Sequence, residues 1–303
     1  MLSIIIVNWN TRDLLSQCLT SIYTCPSACP FEVLVVDNAS SDGSVSMLRE
    51  GFPQVRLIEN QVNVGFAAAN NQALSLIESP YILLLNPDTV VKPGALNELK
   101  EYLERNPQVG AAGARMLNPD GSLQVSCYVA PTLFREFLRL VHLDRFWPGA
   151  SYQMDHWDIT LPREVEIIQG ACMMMRKKAL DQVGLFDERF FIYTEEVDLC
   201  YRLRQAGWKL HWVPQAEVIH YEGQSTSQLA PEMFIHLYQS KLKFFRKHQG
   251  KSAAWIYKFI LFVISIPRVM LMPISWLRTS PEQHRFRDLS SNYLRLLTSL
   301  PRL

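Results

Sequence analysis

Four places along the 303-residue chain carry side chains able to do chemistry. Asp88 follows the apolar run Tyr81–Leu85 by way of Asn86 and Pro87. A carboxylate exposed at a strand end suits Mg2+ or Mn2+, which takes oxygen ligands and shares them with substrate phosphates. Asn-Pro-Asp-Thr is also ordinary turn chemistry, so the motif alone leaves both readings open. Asp37 ends a second apolar run, Phe31 to Val36, where it could accept from a nucleobase N–H. Trp9, in the turn after a first run at Leu2–Val7, could stack on the same base or simply fill the core. Thr194-Glu195-Glu196-Val197-Asp198 sets three carboxylates within four residues beside Phe190, Phe191 and Tyr193. Like-charge repulsion and partial burial raise the pKa of such groups, which makes one of them a candidate general base. Thr194 could equally cap a helix whose first turn favours acidic residues, and the two readings are compatible. His220, in Val218-Ile219-His220-Tyr221, is isolated, and a lone histidine is more often structural than functional.

These groups need a frame that brings them together. The first 115 residues alternate strand and helix. Strands are expected at Leu2–Val7, Phe31–Val36, Val55–Ile58, Tyr81–Leu85 and Val109–Ala112. Helices are expected around Leu14–Ile22, Ala67–Ile77 and Leu96–Leu103. This spacing implies β-α-β units and a mainly parallel sheet, in which ligands bind beyond the carboxyl ends of the strands. Asn8-Trp9, residues 37–44 and residues 86–89 all fall at such ends. No G-x-G-x-x-G turn follows the first strand and no P-loop is present, which argues against NAD or P-loop nucleotide binding. The second half is less regular, with a hairpin-like turn at Asn118-Pro119-Asp120-Gly121 and a helix-like stretch at Leu133–Val141, then Gln169–Arg176 and a segment, Gly184–Arg204, dense in aromatics and carboxylates.

Composition narrows the class. With 48% apolar and 19% charged residues the chain can bury a sizeable core, and a net charge of +1 argues against nucleic acid as a partner. Six cysteines form no C-x-x-C pair, so a zinc site is not expected even at Cys25 and Cys29. Thiols used this way, and a first strand that begins at once without a leader pattern, are expected of a cytoplasmic chain. The charge is unevenly divided: residues 241–303 hold 12 Lys/Arg against 2 Asp/Glu, while residues 1–240 carry a net negative charge. Ala253 to Leu277 is nearly all apolar, yet its cleanest stretch, Ala253 to Ile266, already contains Lys258 and is short of the ~20 residues a spanning helix wants. At helical spacing Lys251, Lys258 and Ser265 share one stripe, with Trp255, Phe259, Phe262 and Val263 elsewhere. A basic helix lying in the interface of an anionic membrane is favoured over a spanning or a core helix.

Five motifs in order resemble family 2 glycosyltransferases of the GT-A fold, particularly bacterial rhamnosyltransferase-like members. They are Ser3-Ile4-Ile5-Ile6-Val7-Asn8-Trp9-Asn10, Val35-Val36-Asp37-Asn38-Ala39-Ser40-Ser41-Asp42-Gly43-Ser44, Asn63-Val64-Gly65-Phe66-Ala67-Ala68-Ala69-Asn70, Leu84-Leu85-Asn86-Pro87-Asp88, and Phe190 to Arg202. The resemblance implies a three-layer α/β fold with a mainly parallel central sheet and a helical C-terminal tail. Residues 1–240 would form the glycosyltransferase domain (1–115 the nucleotide-binding half, 116–240 the acceptor half), and residues 241–303 a membrane-associating tail. It implies a nucleotide-sugar donor held by Trp9, Asp37, Asn38, Asn63, Gly65, Asn70 and Asn86. Asp88 and His220 would hold Mg2+ or Mn2+, Gly170 would border the acceptor, and Glu196 would act as base with Glu195 before it. The expected reaction is inverting, metal-dependent transfer of a sugar, rhamnose being one candidate, to a lipid-linked or polysaccharide acceptor. Its expected place is the cytoplasmic face of the inner membrane, peripheral or monotopic. Two departures stand out: Asn86 occupies the first position of the D-x-D pattern, and Glu196 replaces the Asp of the usual E-D pair. They keep open a second reading, a catalytically silent nucleotide-sugar-binding or membrane scaffold protein.

Overall fold

The computed structural model describes residues 1–24, 30–221, 230–270 and 281–302. The Cys25–Cys29 pair and the expected continuation of the apolar stretch beyond Met270 lie outside the described residues. The chain divides into two units. The first holds residues 1–130, 152–191 and 195–228, and the second residues 131–151, 192–194 and 229–303.

In the first unit the strands are β1 (Leu2–Asn8), β2 (Phe31–Asp37), β3 (Arg56–Glu59), β4 (Tyr81–Leu85), β5 (Thr89–Val91), β6 (Val109–Leu117), β7 (Cys127–Tyr128), β8 (Arg163–Val165), β9 (Ile167–Ile168), β10 (Cys172–Arg176) and β11 (Lys209–His220). The helices are α1 (Arg12–Thr24), α2 (Ser44–Gly51), α3 (Phe66–Leu74), α4 (Ala95–Arg105), α6 (Lys177–Val183) and α7 (Glu195–Gln205), with α5 (Leu133–Leu140) belonging to the second unit. The main sheet runs β3-β2-β1-β4-β10-β6-β11-β5, with β8 on the side of β11. β3, β2, β1 and β4 pair in parallel, and β6 and β11 likewise. β10 enters antiparallel between β4 and β6 and joins the two parallel blocks.

β1 is buried along its whole length because both faces are covered. Leu2, Ile4 and Ile6 pack with Leu15, Cys18, Leu19 and Ile22 of α1 on one side. Ile5 and Val7 pack with Ala67, Ala69 and Ala73 of α3 on the other. Alternate side chains thus serve two apolar layers, which is why the strand reads as a continuous apolar run and not as an alternating one. β6 extends five residues past the expected Ala112, to Leu117. Its small residues hide it from a pattern reading but are required by neighbours. A Cβ on Gly113 would stand 2.4 Å from Ile168 Cγ2, and one on Gly110 would stand 2.8 Å from Trp208 Cβ. The Asn118–Gly121 turn is a hairpin: Asn118 N–H donates to Ser122 O and Leu117 bridges Leu123.

The second unit packs α5 with α8 (Ala230–His248), α9 (Gly250–Met270) and α10 (Pro281–Ser299) around Tyr238, Leu242, Phe245, Tyr257, Leu261, Tyr293 and Leu296. Inside it, Glu136 Oε2 is met by Lys241 Nζ at 2.8 Å, Arg139 Nη2 at 2.8 Å and the Tyr257 hydroxyl at 3.2 Å. Removing one partner of such a buried cluster leaves a charge uncompensated. α9 differs from the expected stripe in an instructive way. Ser265 is buried with Tyr257, Leu261 and Ile264 on the packed side, while Trp255, Ile256, Phe259, Phe262 and Val263 face outward.

The entry to α3 sets the tightest backbone approach. Gly65, with φ 87° and ψ 166°, sits in a region open essentially to glycine alone. A Cβ there would come within 2.5 Å of the Phe191 carbonyl oxygen, which accepts from Phe66 N–H at 2.7 Å. Gly65→Ala is expected to destabilise the chain by about 3 kcal/mol or more in denaturant unfolding. Gly121→Ala, also at positive φ but with open space around it, should cost about 1–2 kcal/mol. Equal losses for the two variants would show that the Phe191 approach is not what requires Gly65.

Candidate active site

The expected site residues gather at the carboxyl ends of the parallel strands. Asn8 and Asp37 are register partners at the ends of β1 and β2. Asn8 Nδ2 donates to Asp37 Oδ2 and Ser40 N–H donates to Asp37 Oδ1, both at 2.9 Å. Asn8 Oδ1 accepts from the Thr11 hydroxyl, and Ser40 Oγ accepts from Asn10 N–H. Asp37 is therefore a buried carboxylate with both oxygens engaged and lone pairs to spare. Trp9 stands half-buried in the turn that this network fixes. Its neighbour Asn10 adopts φ 52° and accepts Ser41 N–H through its side chain.

Asn38, Asn63 and Asn70 shape the adjoining loop. Asn38 Oδ1 accepts Val64 N–H, Asn38 Nδ2 donates to Asn63 Oδ1, and Asn63 Oδ1 also accepts Gly65 N–H. Asn70, buried, donates to the Phe66 carbonyl one turn back in α3. The described bonds of these three amides thus hold the backbone of residues 63–66 in its tight path. Asn86 N–H donates to Ala171 O, and the Asn86 carbonyl accepts from the Thr89 hydroxyl. That places the Asn86–Asp88 turn beside Gly170-Ala171. Gly170 in turn lies against Glu196 and Phe66: a Cβ built on it would be 3.5 Å from Glu196 Cβ and 4.0 Å from the Phe66 ring. Contacts therefore run without a break from Asn38 through Gly65, Phe66 and Gly170 to Glu196, and from Ala171 to the Asp88 turn.

Asp88 and His220 meet directly. Thr89 and His220 are paired across β5 and β11, and Tyr221 N–H donates to the Asp88 carbonyl. Both side chains are buried, at 5% and 2% exposure, with His220 Nε2 3.3 Å from Asp88 Oδ1. Gln124 fixes the other side of the ring. Its amide nitrogen donates to His220 O and Asn118 Oδ1, so its oxygen faces His220 Nδ1 at 2.7 Å and accepts a hydrogen bond from it. In the neutral ring Nε2 is then a bare lone pair, buried without a hydrogen bond and facing a carboxylate oxygen. Two electron-pair donors held together suit a shared cation, and a ring nitrogen whose partner nitrogen donates to an oxygen is the usual arrangement of a metal-binding histidine. Among the described residues no third His, Cys, Asp or Glu completes a cage. That fits an ion taking its remaining ligands from substrate phosphates. Gln124 escaped the sequence reading; its only signal is its place just past the 118–121 hairpin, which brings it across from β11.

The acidic pair opens α7, which follows two residues in the left-handed region, Tyr193 (φ 65°) and Thr194 (φ 72°). Thr194 therefore lacks the extended backbone of an ordinary N-cap residue. Glu195 is buried, and its Oε2 has no hydrogen-bond partner among the described residues. Burial, and then the negative charge of Glu196, push its carboxyl well above the usual range. Glu196 is half-buried, beside Gly170. Asp198, wholly buried, holds Arg202, whose guanidinium also donates to the carbonyls of Val183, Gly184 and Leu185, so the third carboxylate of the cluster anchors α7. The buried thiols Cys18, Cys172 and Cys200, each pushed up to about 12 by desolvation, have no chemical role here.

Comparisons with known proteins give the family and the fold. The family model described as glycosyltransferase-like family 2 matches residues 1–235. The chain is 34% identical over 214 residues to the N-acetylglucosaminyl-diphospho-decaprenol L-rhamnosyltransferase of Mycobacterium tuberculosis, covering 66% of this chain and 69% of that one. It is 25% identical over 235 residues to the rhamnosyltransferase WbbL of Escherichia coli K12, covering 73% and 83%. In fold it is similar to the mannosyltransferase PcManGT of Pyrobaculum calidifontis, solved with GDP-Man and Mn2+, with a TM-score of 0.57 at 17% identity over 99% of this chain and 86% of that one. The sheet and its flanking helices match those of GT-A neighbours, and a C-terminal helical tail is present. The chain belongs to glycosyltransferase family 2.

Proposed function

We propose that this glycosyltransferase moves a rhamnosyl or related hexosyl unit from a nucleotide-sugar to a hydroxyl of a lipid-linked or polysaccharide acceptor, with inversion at the anomeric carbon. The buried confrontation of His220 Nε2 with Asp88 Oδ1 carries the reading, because it fits a divalent cation, Mg2+ or Mn2+, bound with the donor diphosphate. When bound, that ion neutralises the charge that builds on the departing nucleoside diphosphate. The relatives named for rhamnosyl transfer support the sugar and acceptor class.

Asp37, held in place by Asn8 and Ser40, keeps lone pairs for a base N–H, and Trp9 lies against that base. Asn38, Asn63, Gly65, Asn70 and Asn86 form the wall of the donor site through the loops they hold. Glu196, beside Gly170 at the acceptor side, takes the proton of the acceptor hydroxyl. The hydroxyl oxygen forms the new bond to the anomeric carbon as the bond to the diphosphate oxygen breaks, and the electron pair leaves with the diphosphate. Attack from the opposite face inverts the centre. Burial, and then the charge of its neighbour, push Glu195 toward its neutral form, which favours the half-buried Glu196 for the role of base.

The tail supports work at the cytoplasmic face of the inner membrane, with residues 1–240 catalytic and 241–303 associating with the bilayer. α9 is the one helix among the described residues long and apolar enough to cross a membrane. Its packed side, the exposed aromatic side and the loss of a backbone donor at Pro267 favour a helix lying in the interface.

Three outcomes follow. Glu196→Gln should lower transfer by about 100- to 10,000-fold while leaving nucleotide binding by calorimetry intact, and Glu195→Gln should lose far less; retained turnover in Glu196→Gln removes it as base. Asp88→Asn or His220→Ala should raise the Mn2+ concentration needed for half-maximal activity by about 10- to 100-fold, and Gln124→Leu, which frees the histidine ring, should do so to a smaller degree. An unchanged metal requirement would sink the ion assignment. Glu195 has a folded pKa above its unfolded value, so its contribution to stability is full at low pH and declines as pH rises above the unfolded value, ~4.3, toward the folded one. The melting temperature of the wild type should therefore fall relative to Glu195→Gln between pH 4 and pH 8, and a constant difference would contradict the raised pKa.

A further inference from the structure

In the helical unit, α8, α9 and the turn Leu300–Arg302 enclose a groove of about 420 Å3 whose lining includes Lys243, Arg246, Lys251, Trp255, Lys258 and Arg302. Five of these six side chains are cationic, and among the described residues no carboxylate lines the groove. Like charges brought this close repel unless an anion joins them, and ammonium and guanidinium groups around one hollow match the oxygens of a phosphate. Trp255 ties the groove to a second feature. Its ring lies 5.1 Å from Lys258 Nζ and is 69% exposed, and it heads the outward stripe that continues through Ile256, Phe259, Phe262 and Val263. A charged hollow opening onto an aromatic and aliphatic face has the two-part chemistry of a lipid, with an anionic head and an apolar tail.

We propose that this groove binds the phosphate headgroup of an anionic glycerophospholipid of the bilayer, with the acyl chains lying along the stripe that starts at Trp255. A soluble phosphate would have no use for the stripe, and an apolar partner would have none for five cations; charge and apolar surface together select the lipid. The inference rests on the membrane-associating reading of the tail and adds to it a defined headgroup site in place of diffuse attraction.

Flotation of the full chain with phosphatidylcholine vesicles, with and without phosphatidylglycerol, tests it. The wild type should bind the phosphatidylglycerol vesicles more tightly. Arg246→Gln/Lys251→Gln, at two exposed groove positions, should lower that binding about 30-fold, at roughly fivefold per cation, and leave binding to phosphatidylcholine unchanged. Arg145→Gln/Arg295→Gln, exposed elsewhere in the same unit, should change it by less than about threefold. Phe259→Ser/Phe262→Ser should weaken binding to both kinds of vesicle. Equal losses for the groove and control pairs would reduce the groove to general electrostatics and overturn the site while keeping the membrane reading. Release of the wild type from vesicles by dilute inorganic phosphate would assign the groove to a free anion and overturn the lipid. A wild type that floats with neither vesicle would remove the membrane reading, and the lipid site with it.

Discussion

A carboxylate taken out of water at the end of a strand must be met by donors, and the loops after β1 and β2 are organised around that requirement at Asp37. Register puts Asn8 opposite it, and the turn after β2 brings Ser40 N–H to its other oxygen. Each of those partners is itself fixed, Asn8 by Thr11 and Ser40 by Asn10. Two loops that are distant in sequence thus become one rigid rim. The amides of Asn38 and Asn63 extend the same logic to the next loop, where Gly65 lets two backbones touch. Charge satisfaction at one buried group fixes the path of three connections.

The Asp88–His220 pair works the other way. Here the sheet holds a carboxylate oxygen 3.3 Å from a buried ring nitrogen that makes no hydrogen bond. Gln124 holds the ring from the far side by accepting from Nδ1, and both side chains are buried. Such an arrangement is unfavourable by itself and is tolerated because the surrounding sheet over-determines it. Glu195 is a second group of this kind, a buried carboxyl pressed against a like charge, next to two left-handed residues. Local rules are broken where function is expected, and the two apolar layers on either face of β1 supply the stability that permits it.

Much of this was legible in the residues. The continuous apolar runs of β1, β2 and β4 each end in a polar side chain, and that punctuation marks the ligand edge without any structure. Asp37, Asp88, Glu195 and Glu196 stand out by type and order and Gly170 by the family resemblance alone, and the structure shows all five on adjoining segments. What pattern could not supply were partners chosen by tertiary contact. Gln124 is an ordinary amide in an irregular stretch, and only the pairing of β5 with β11 gives it a histidine to orient. The antiparallel entry of β10 was hidden because Cys172–Arg176 has the same apolar look in either direction. β6 looked short because glycine and alanine carry little strand signal, although their smallness is what Ile168 and Trp208 need. In the tail, charge spacing alone drew Ser265 outward, whereas packing of Tyr257, Leu261 and Ile264 turned that side of the helix in.

The outward face of α9 has a practical corollary for anyone handling the protein. Trp255, Ile256, Phe259, Phe262 and Val263 form an apolar strip larger than scattered surface hydrophobes, on a unit whose interior is already filled. In plain buffer the cheapest cover for that strip is another copy of itself. A strip of this size favours self-association at high concentration, and a mild detergent belongs in the first lysis step.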